Sequence, residues 1–251
     1  MRISKDRLDR LMVTQGLAAS REVAVRTILA GGVTVNGMVV DKPAKLTPLD
    51  ARIEIEKPAP YVSRSGEKLA AALDAFSIHP NGLIGLDVGC STGGFTDCLL
   101  QRGAKRIYAV DVGYGQIDWR LRQDPRVVLL ERTNIRHVEL AMFPEPIDLA
   151  VIDVSFISLT LVLPSVMPLL GNGAAVVALV KPQFEVGKGQ VGAGGIVRND
   201  AQREAVTEKI ILCGRCLGLQ AKGVLDSPVK GRKGNREILV SFKHQGIINV
   251  S

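Results

Sequence analysis

Only four cysteines, three histidines and one tryptophan occur in this 251-residue chain, and aromatic side chains make up 4% of it. Cys90, Cys98, Cys213 and Cys216 are too few and too scattered for the disulfide framework that stabilises small secreted domains. Cys213-Gly214-Arg215-Cys216 has the spacing of a redox pair or half a zinc site. It falls near the end of a helical pattern, however, and no second pair or neighbouring histidine completes a metal site. Two ordinary buried thiols, and no metal, are expected there. Long apolar runs are also missing: the longest, Ala174 to Val180, is far short of the roughly 20 residues that span a bilayer. Met1-Arg2-Ile3-Ser4-Lys5-Asp6-Arg7 contains no apolar segment of the signal-peptide kind. A cytoplasmic protein with no membrane contact is expected. No internal repeat or low-complexity tract is present, and nothing marks a protein partner.

Against these absences, 46% of the residues are apolar, enough for a full core. The formal charge is +7, and residues 1–60 are basic, as is the remainder. That balance favours a polyanionic partner.

Residues 1–56 form a small module in the pattern. Arg7-Leu8-Asp9-Arg10-Leu11 and Leu17 begin a short amphipathic helix, and Ser20 caps a second, with Val23, Val25 and Ile28 apolar and Arg21 and Arg26 polar. Gly31-Gly32 stops it. Val33-Thr34-Val35 alternates as a strand, Asn36-Gly37 is a two-residue hairpin turn, and Met38-Val39-Val40 returns. Ala51 to Glu56 alternates as a further strand. This order of elements resembles the small α+β RNA-binding domain first found in ribosomal small-subunit protein four. The resemblance implies RNA contacts by Lys5, Arg7, Arg10, Ser20, Arg21 and Arg26; a solvated helical face is the plain alternative.

Lys57-Pro58-Ala59-Pro60 opens a linker over 57–62, since two prolines in three residues end regular structure. Residues 63–251 then alternate strands and helices. Strands are predicted near 84–88, 106–111, 126–130, 148–153, 174–180, 219–225 and 236–242. Helices are predicted near 66–76, 93–102, 116–123, 158–170 and 201–217. Seven strands so interleaved imply an α/β domain with a mostly parallel sheet covered on both faces.

Leu83 to Val88 is a buried strand running into Gly89-Cys90-Ser91-Thr92-Gly93-Gly94-Phe95-Thr96. A strand, a glycine loop and a helix N-terminus together present backbone N–H groups to a bound anionic group. Asp111 ends the next strand, twenty-four residues after Asp87, where a carboxylate can accept both ribose hydroxyls of an adenosine cofactor. The glycine spacing is not the G-x-G-x-x-G of nicotinamide enzymes. Gly89-Cys90-Ser91-Thr92-Gly93 also fits the G-x-S-x-G of a hydrolase nucleophile elbow, for which His244 with Asp226 would have to complete a triad.

Four charged residues stand at element edges. Lys68 opens a helix, Asp153 follows the apolar run Leu149 to Ile152, Lys181 follows Val176 to Val180, and Glu237 precedes Ile238-Leu239-Val240. Parallel sheets bind ligands beyond the carboxyl ends of their strands, so charges there are candidates for chemistry as well as solvated strand ends.

The stretch Asp87-Val88-Gly89-Cys90-Ser91-Thr92-Gly93-Gly94-Phe95 resembles the S-adenosylmethionine loop of FtsJ-type ribose methyltransferases. Ser63-Arg64-Ser65-Gly66-Glu67-Lys68-Leu69, Val151 to Leu159, Val180-Lys181-Pro182-Gln183-Phe184-Glu185 and Lys230 to Glu237 extend the likeness over nearly the whole chain. Together with the N-terminal module they resemble the TlyA-type family, historically called hemolysins, whose studied members 2′-O-methylate cytidines of ribosomal RNA. Ser65, where that family usually has glycine, is the one visible departure.

This resemblance implies a Rossmann-like class I methyltransferase domain that binds S-adenosylmethionine and acts on ribosomal RNA or ribosomal subunits. It implies catalytic roles for Lys68, Asp153, Lys181 and Glu237. Cofactor contacts would come from Asp87, Gly89, Ser91, Thr92, Gly93, Gly94, Phe95, Asp111 and Asp153. In this reading Lys181 is the general base or steers the hydroxyl's lone pair, Lys68 supplies a second cation, and the two carboxylates orient the ammonium groups. Non-catalytic RNA binding and membrane lysis are the competing functions. The glycine-rich stretch 187–195 is either a loop that closes over RNA or a plain connection.

Overall fold

The computed structural model describes residues 4–29, 31–55, 60–187, 191–231 and 234–246. They belong to two compact units, Met1–Ala59 and Pro60–Ser251.

The first unit contains β1 (Lys5–Arg7), α1 (Leu8–Thr14), α2 (Arg21–Leu29), β2 (Val33–Val35), β3 (Met38–Val39), β4 (Leu46–Pro48) and β5 (Ile53–Ile55). Ser20 caps α2, its Oγ accepting from the N–H of Val23 at 3.3 Å. Asn36 and Gly37 have φ of 52° and 78°, the left-handed pair that a two-residue hairpin needs to match strand twist. Val35 consequently pairs with Met38, and β5 joins β2 on its other edge. The sequence pattern misses β1 and β4, three-residue strands that pair antiparallel, Asp6 with Thr47. Neither shows enough alternation to be visible alone. Leu8, Met12, Ala24, Ile28 and Val33 are fully buried between helices and strands and form a small core.

The second unit runs α3 (Ser65–Ala75), β6 (Ile84–Val88), α4 (Gly94–Gln101), β7 (Arg106–Val110), α5 (Trp119–Arg122), β8 (Val127–Leu130), β9 (Ile147–Ile152), α6 (Leu159–Val166), β10 (Leu170–Val180), α7 (Pro182–Glu185), α8 (Asp200–Cys216), β11 (Leu219–Asp226) and β12 (Ile238–His244). Seven strands make one sheet in the order β8-β7-β6-β9-β10-β12-β11. All are parallel except β12, which runs antiparallel to both neighbours. Alternation through the central strands fills both faces. Ala150, Ile152, Val176, Ala178 and Val180 face one apolar layer, while Leu149, Val151, Val177 and Leu179 face the other. Each fully buried aliphatic side chain of the valine or leucine kind contributes about 1.5–3 kcal/mol, so register slips in these strands are strongly disfavoured.

Several elements differ from the sequence pattern. The helix expected over 158–170 ends at Val166, and a 3-10 turn, Met167–Leu169, follows around Pro168. β10 accordingly starts at Leu170, with a register irregularity before Ala175. Cys216, expected to be buried, is exposed in the last turn of α8, and Cys213 is half-buried. Among the described residues no helix is long and apolar enough to cross a membrane.

Candidate active site

The chain leaves β6, moves outward through β7 and β8, and returns on the other side of β6 as β9. The two strands therefore diverge in connection at their carboxyl ends, which opens a crevice there. Gly89 follows β6 and Asp153 follows β9, and the N–H of Asp153 donates to the Val88 carbonyl at 2.9 Å. Gly89 has φ of 84°, and a Cβ on it would lie 2.6 Å from the Asp153 carbonyl oxygen. Only glycine lets the loop pass this close.

The crevice holds a cavity of about 670 Å³, lined by Lys68, Gly89, Ser91, Thr92, Phe95, Asp111, Asp153, Lys181 and Glu237 among others. Its size suits a cofactor-sized ligand. Asp87, Gly93 and Gly94 are not among the lining residues. Asp87 is fully buried behind the loop, its Oδ2 accepting from the Thr96 hydroxyl at 2.7 Å. Burial pushes its carboxyl up to about 7, and the nearby Asp153 carboxylate adds to the effect. The Asp111 carboxylate organises two loops at once, accepting from the N–H of Ser91 at 2.8 Å and of Gly113 at 2.7 Å.

The sheet topology explains how four distant charges converge. Asp153 and Lys181 follow the adjacent parallel strands β9 and β10, so they leave the sheet at the same edge. Glu237 reaches that edge because β12 runs the other way and begins where β10 ends, Ile238 opposite Val180. Lys68 comes from the first turn of α3 and is nearly buried. Its Nζ donates to Glu237 Oε2 at 2.5 Å. Lys181 Nζ lies 2.6 Å from Asp153 Oδ1 and donates to Ser155 Oγ at 2.9 Å. Asp153 Oδ1 meets Lys181 at ion-pair distance but outside hydrogen-bonding directions, so that pairing is Coulombic.

Sequence reasoning did not single out Ser155, Phe156 or Phe184, all of which line the cavity. Phe156 is 88% exposed with φ of 64°, and its ring lies 4.9 Å from that of Phe184. A bulky residue in the left-handed region costs about 1–3 kcal/mol and persists only where its surroundings fix it. The available signal was the phenylalanine beside a strand-end aspartate. Outside the cavity lining, Arg132 Cζ stacks 4.2 Å above the ring of Tyr114.

The triad alternative fails on geometry. β12 carries His244 to the opposite end of the sheet from Ser91, and His244 Nδ1 instead lies 3.0 Å from the Gly171 carbonyl oxygen. Asp226 pairs with Arg203 and Arg236.

In the first unit Lys5, Arg10, Ser20, Arg21 and Arg26 are exposed and Arg7 is partly so. Arg7 and Arg21 both bind the buried Asp9 carboxylate, each at 2.9 Å. Those two guanidiniums hold Asp9 down at about 2, Arg7 most strongly. Lys5, Arg10 and Arg26 have no ion-pair partner among the described residues. Of the glycine-rich stretch, 188–190 lie outside the described residues, as do 232–233. The N–H of Val197 just beyond that stretch is bound by Asn235 Oδ1 at 3.1 Å.

The FtsJ-like methyltransferase family model matches residues 61–244, and the S4 domain model matches residues 6–47. The chain is 44% identical to the 16S/23S rRNA (cytidine-2′-O)-methyltransferase TlyA of Mycobacterium tuberculosis over 241 residues, 95% of this chain and 90% of that one. A solved structure described as a hemolysin from Streptococcus thermophilus superposes with a TM-score of 0.75 at 44% identity, covering 97% of this chain and 90% of that one. The N-methyltransferase NodS from Bradyrhizobium japonicum, solved with S-adenosyl-L-homocysteine, shares the fold at a TM-score of 0.51 and 17% identity, over 72% of this chain and 85% of its own.

Proposed function

Because this chain belongs to the FtsJ-like methyltransferase family and carries an S4 domain ahead of it, we propose that it methylates the 2′-hydroxyl of a cytidine in ribosomal RNA, with S-adenosylmethionine as donor. The observation that carries the reading is the paired cluster Lys68–Glu237 and Lys181–Asp153 on the wall of a cavity floored by the Gly89 loop. Acting on ribosomal RNA would place the protein in the cytoplasm.

The cavity fits the donor chemically. Gly89, Ser91, Thr92 and Phe95 line one stretch of it, and Asp111, which also lines it, would be the acceptor for the ribose hydroxyls. Val112, Asn134 and Ile135 offer an apolar and amide-bearing surface suited to a purine. When bound, S-adenosylmethionine supplies a methyl already activated on a sulfonium.

The chain's own task is alignment and removal of one proton. As the oxygen–carbon bond forms and the sulfur–carbon bond breaks, a neutral hydroxyl becomes an ether and releases a proton. In this reading the Asp153 carboxylate beside the Lys181 ammonium is the group that accepts that proton. Ser155 fixes the direction of the Lys181 ammonium, leaving it to steer the hydroxyl oxygen. Lys68 and Glu237 shape the adjoining wall and neutralise each other there.

The test is methyl transfer from labelled S-adenosylmethionine to isolated ribosomal subunits, with modified riboses mapped by resistance to alkaline cleavage. Label at a cytidine 2′-oxygen is expected. Binding to subunits without transfer would favour a non-catalytic RNA-binding role, and leakage of liposomes by purified protein would favour lysis.

A further inference from the structure

Glu185 takes no part in the cavity, yet it joins the two segments that build its catalytic wall. It ends α7, four residues beyond Lys181, and is 7% exposed. Its Oε1 accepts from the N–H of Leu159 at 2.7 Å and its Oε2 from the Ser158 hydroxyl at 2.5 Å. Ser158 and Leu159 close the segment that starts at Asp153 and includes Ser155, the two partners of Lys181.

Resting on the methyl-transfer reading, we propose that Glu185 is a positioning residue, which pins the far end of the Asp153–Ser158 segment to the Lys181 turn and so fixes the Lys181–Asp153 pair against the cavity. The near end of that segment is already held, because the Asp153 N–H is bound to the carbonyl of Val88. On the other side, the N–H of Phe184 donates to the Lys181 carbonyl at 2.9 Å, making 181–184 one tight turn. Between the anchors lies Phe156 in its left-handed conformation, a strain that persists only where the surrounding structure holds it.

A helix cap alone does not explain this carboxylate. Ser158 already caps α6, its oxygen accepting from the N–H of Thr160 at 3.2 Å. The single Ser158 proton is committed to Glu185, so the 2.8 Å contact with the Thr160 hydroxyl must have Thr160 as donor. Glu185 therefore dictates the cap's orientation. Burial raises the proton affinity of its carboxyl, opposed by those two donors and by Lys209, whose Nζ is 3.9 Å away. An acid placed at such a cost, where the helix has its own cap, is explained by the link it makes between two loops.

The full-length protein, Glu185→Ala and Glu185→Gln are compared by single-turnover methyl transfer to ribosomal subunits, by S-adenosylmethionine titration and by thermal unfolding. Loss of alignment without loss of the cavity is expected to slow transfer in Glu185→Ala by about tenfold or more, with cofactor affinity within about threefold. Glu185→Gln keeps an acceptor for the N–H of Leu159, so it should recover part of that rate. Rates within about twofold of the unsubstituted chain for both variants, or rate and cofactor affinity falling by the same factor, would overturn the proposal. If Glu185→Ala does not fold, Glu185→Gln alone decides: a slower step with unchanged cofactor affinity supports it, and an unchanged step overturns it. Absence of transfer by the unsubstituted chain would instead remove the methyl-transfer reading beneath it.

Discussion

Lys68 and Glu237, 169 residues apart in the chain, form an ion pair of 2.5 Å between two nearly buried side chains. The carboxylate is hemmed in from behind as well: a Cβ at Gly231 would lie 2.0 Å from Glu237 Oε1. Removing one member of such a pair leaves the other charged and desolvated. Lys68→Ala should therefore destabilise the second unit by about 3–5 kcal/mol, and Lys68→Met combined with Glu237→Leu should recover most of that. Urea unfolding of the three proteins measures both effects. A single-variant loss below about 1 kcal/mol would mean that water reaches the pair.

Lys181 has a different balance of roles, since its ammonium pairs with Asp153 and Ser155 at the cavity wall. Lys181→Ala should lower single-turnover methyl transfer by at least about a hundredfold, while cofactor affinity stays within a few-fold. Near-normal transfer in that variant would exclude Lys181 from steering the hydroxyl.

The alternation of strands and helices was legible because the central strands are buried on both faces and read as unbroken apolar runs, as in Val176 to Val180. The glycine loop was legible for a related reason: a Cβ at Gly89 would lie 2.6 Å from a carbonyl oxygen, so only glycine fits there. The edge charges were visible individually, but their pairing was not. Which ammonium faces which carboxylate depends on β12 being antiparallel, and no local pattern announces that direction. Glu185 was hidden similarly, inside a recognised motif, because its partners lie 26 and 27 residues earlier in the chain. Strands β1 and β4 escaped because three residues give too little periodicity to register.

Asp87 should leave a signature in the pH dependence of stability. Its carboxyl is raised to about 7 in the folded protein by burial, with Asp153 contributing, against an ordinary value near 3.8. Between those values the folded state binds more protons than the unfolded one, so stability falls as pH rises from about 4 to about 7. Asp87→Asn keeps a partner for Thr96 and cannot ionise. Its unfolding free energy should vary less over that window than that of the unsubstituted chain. Parallel curves from chemical denaturation at several pH values would show that Asp87 is ionised throughout.

Asp111 accepts two backbone N–H groups, those of Ser91 and Gly113, and lines the same cavity. Asp111→Ala removes the acceptor proposed for the ribose and loosens both loops. Cofactor affinity should drop by about tenfold or more, as removal of a charge-assisted hydrogen bond implies. Binding to ribosomal subunits should change much less. Equal losses in the two titrations would detach Asp111 from the cofactor.

The basic residues of the first unit divide into two groups with different consequences on substitution. Arg7 and Arg21 hold the buried Asp9, so replacing them strands a carboxylate and perturbs the fold along with any RNA contact. Lys5, Arg10 and Arg26 are exposed and have no ion-pair partner among the described residues. Exposed residues of this kind usually alter stability by no more than about 0.5 kcal/mol. Lys5→Ala, Arg10→Ala and Arg26→Ala together therefore isolate the electrostatic role. A cation bound to a phosphate displaces counterions, so removing each such cation should flatten the plot of log affinity against log salt by about 0.7–0.9. The triple variant should bind ribosomal subunits more weakly at low salt and converge with the unsubstituted protein as salt rises. A lower affinity with an unchanged slope would mean that these side chains act through something other than phosphates, and an unchanged affinity would remove this surface from RNA recognition.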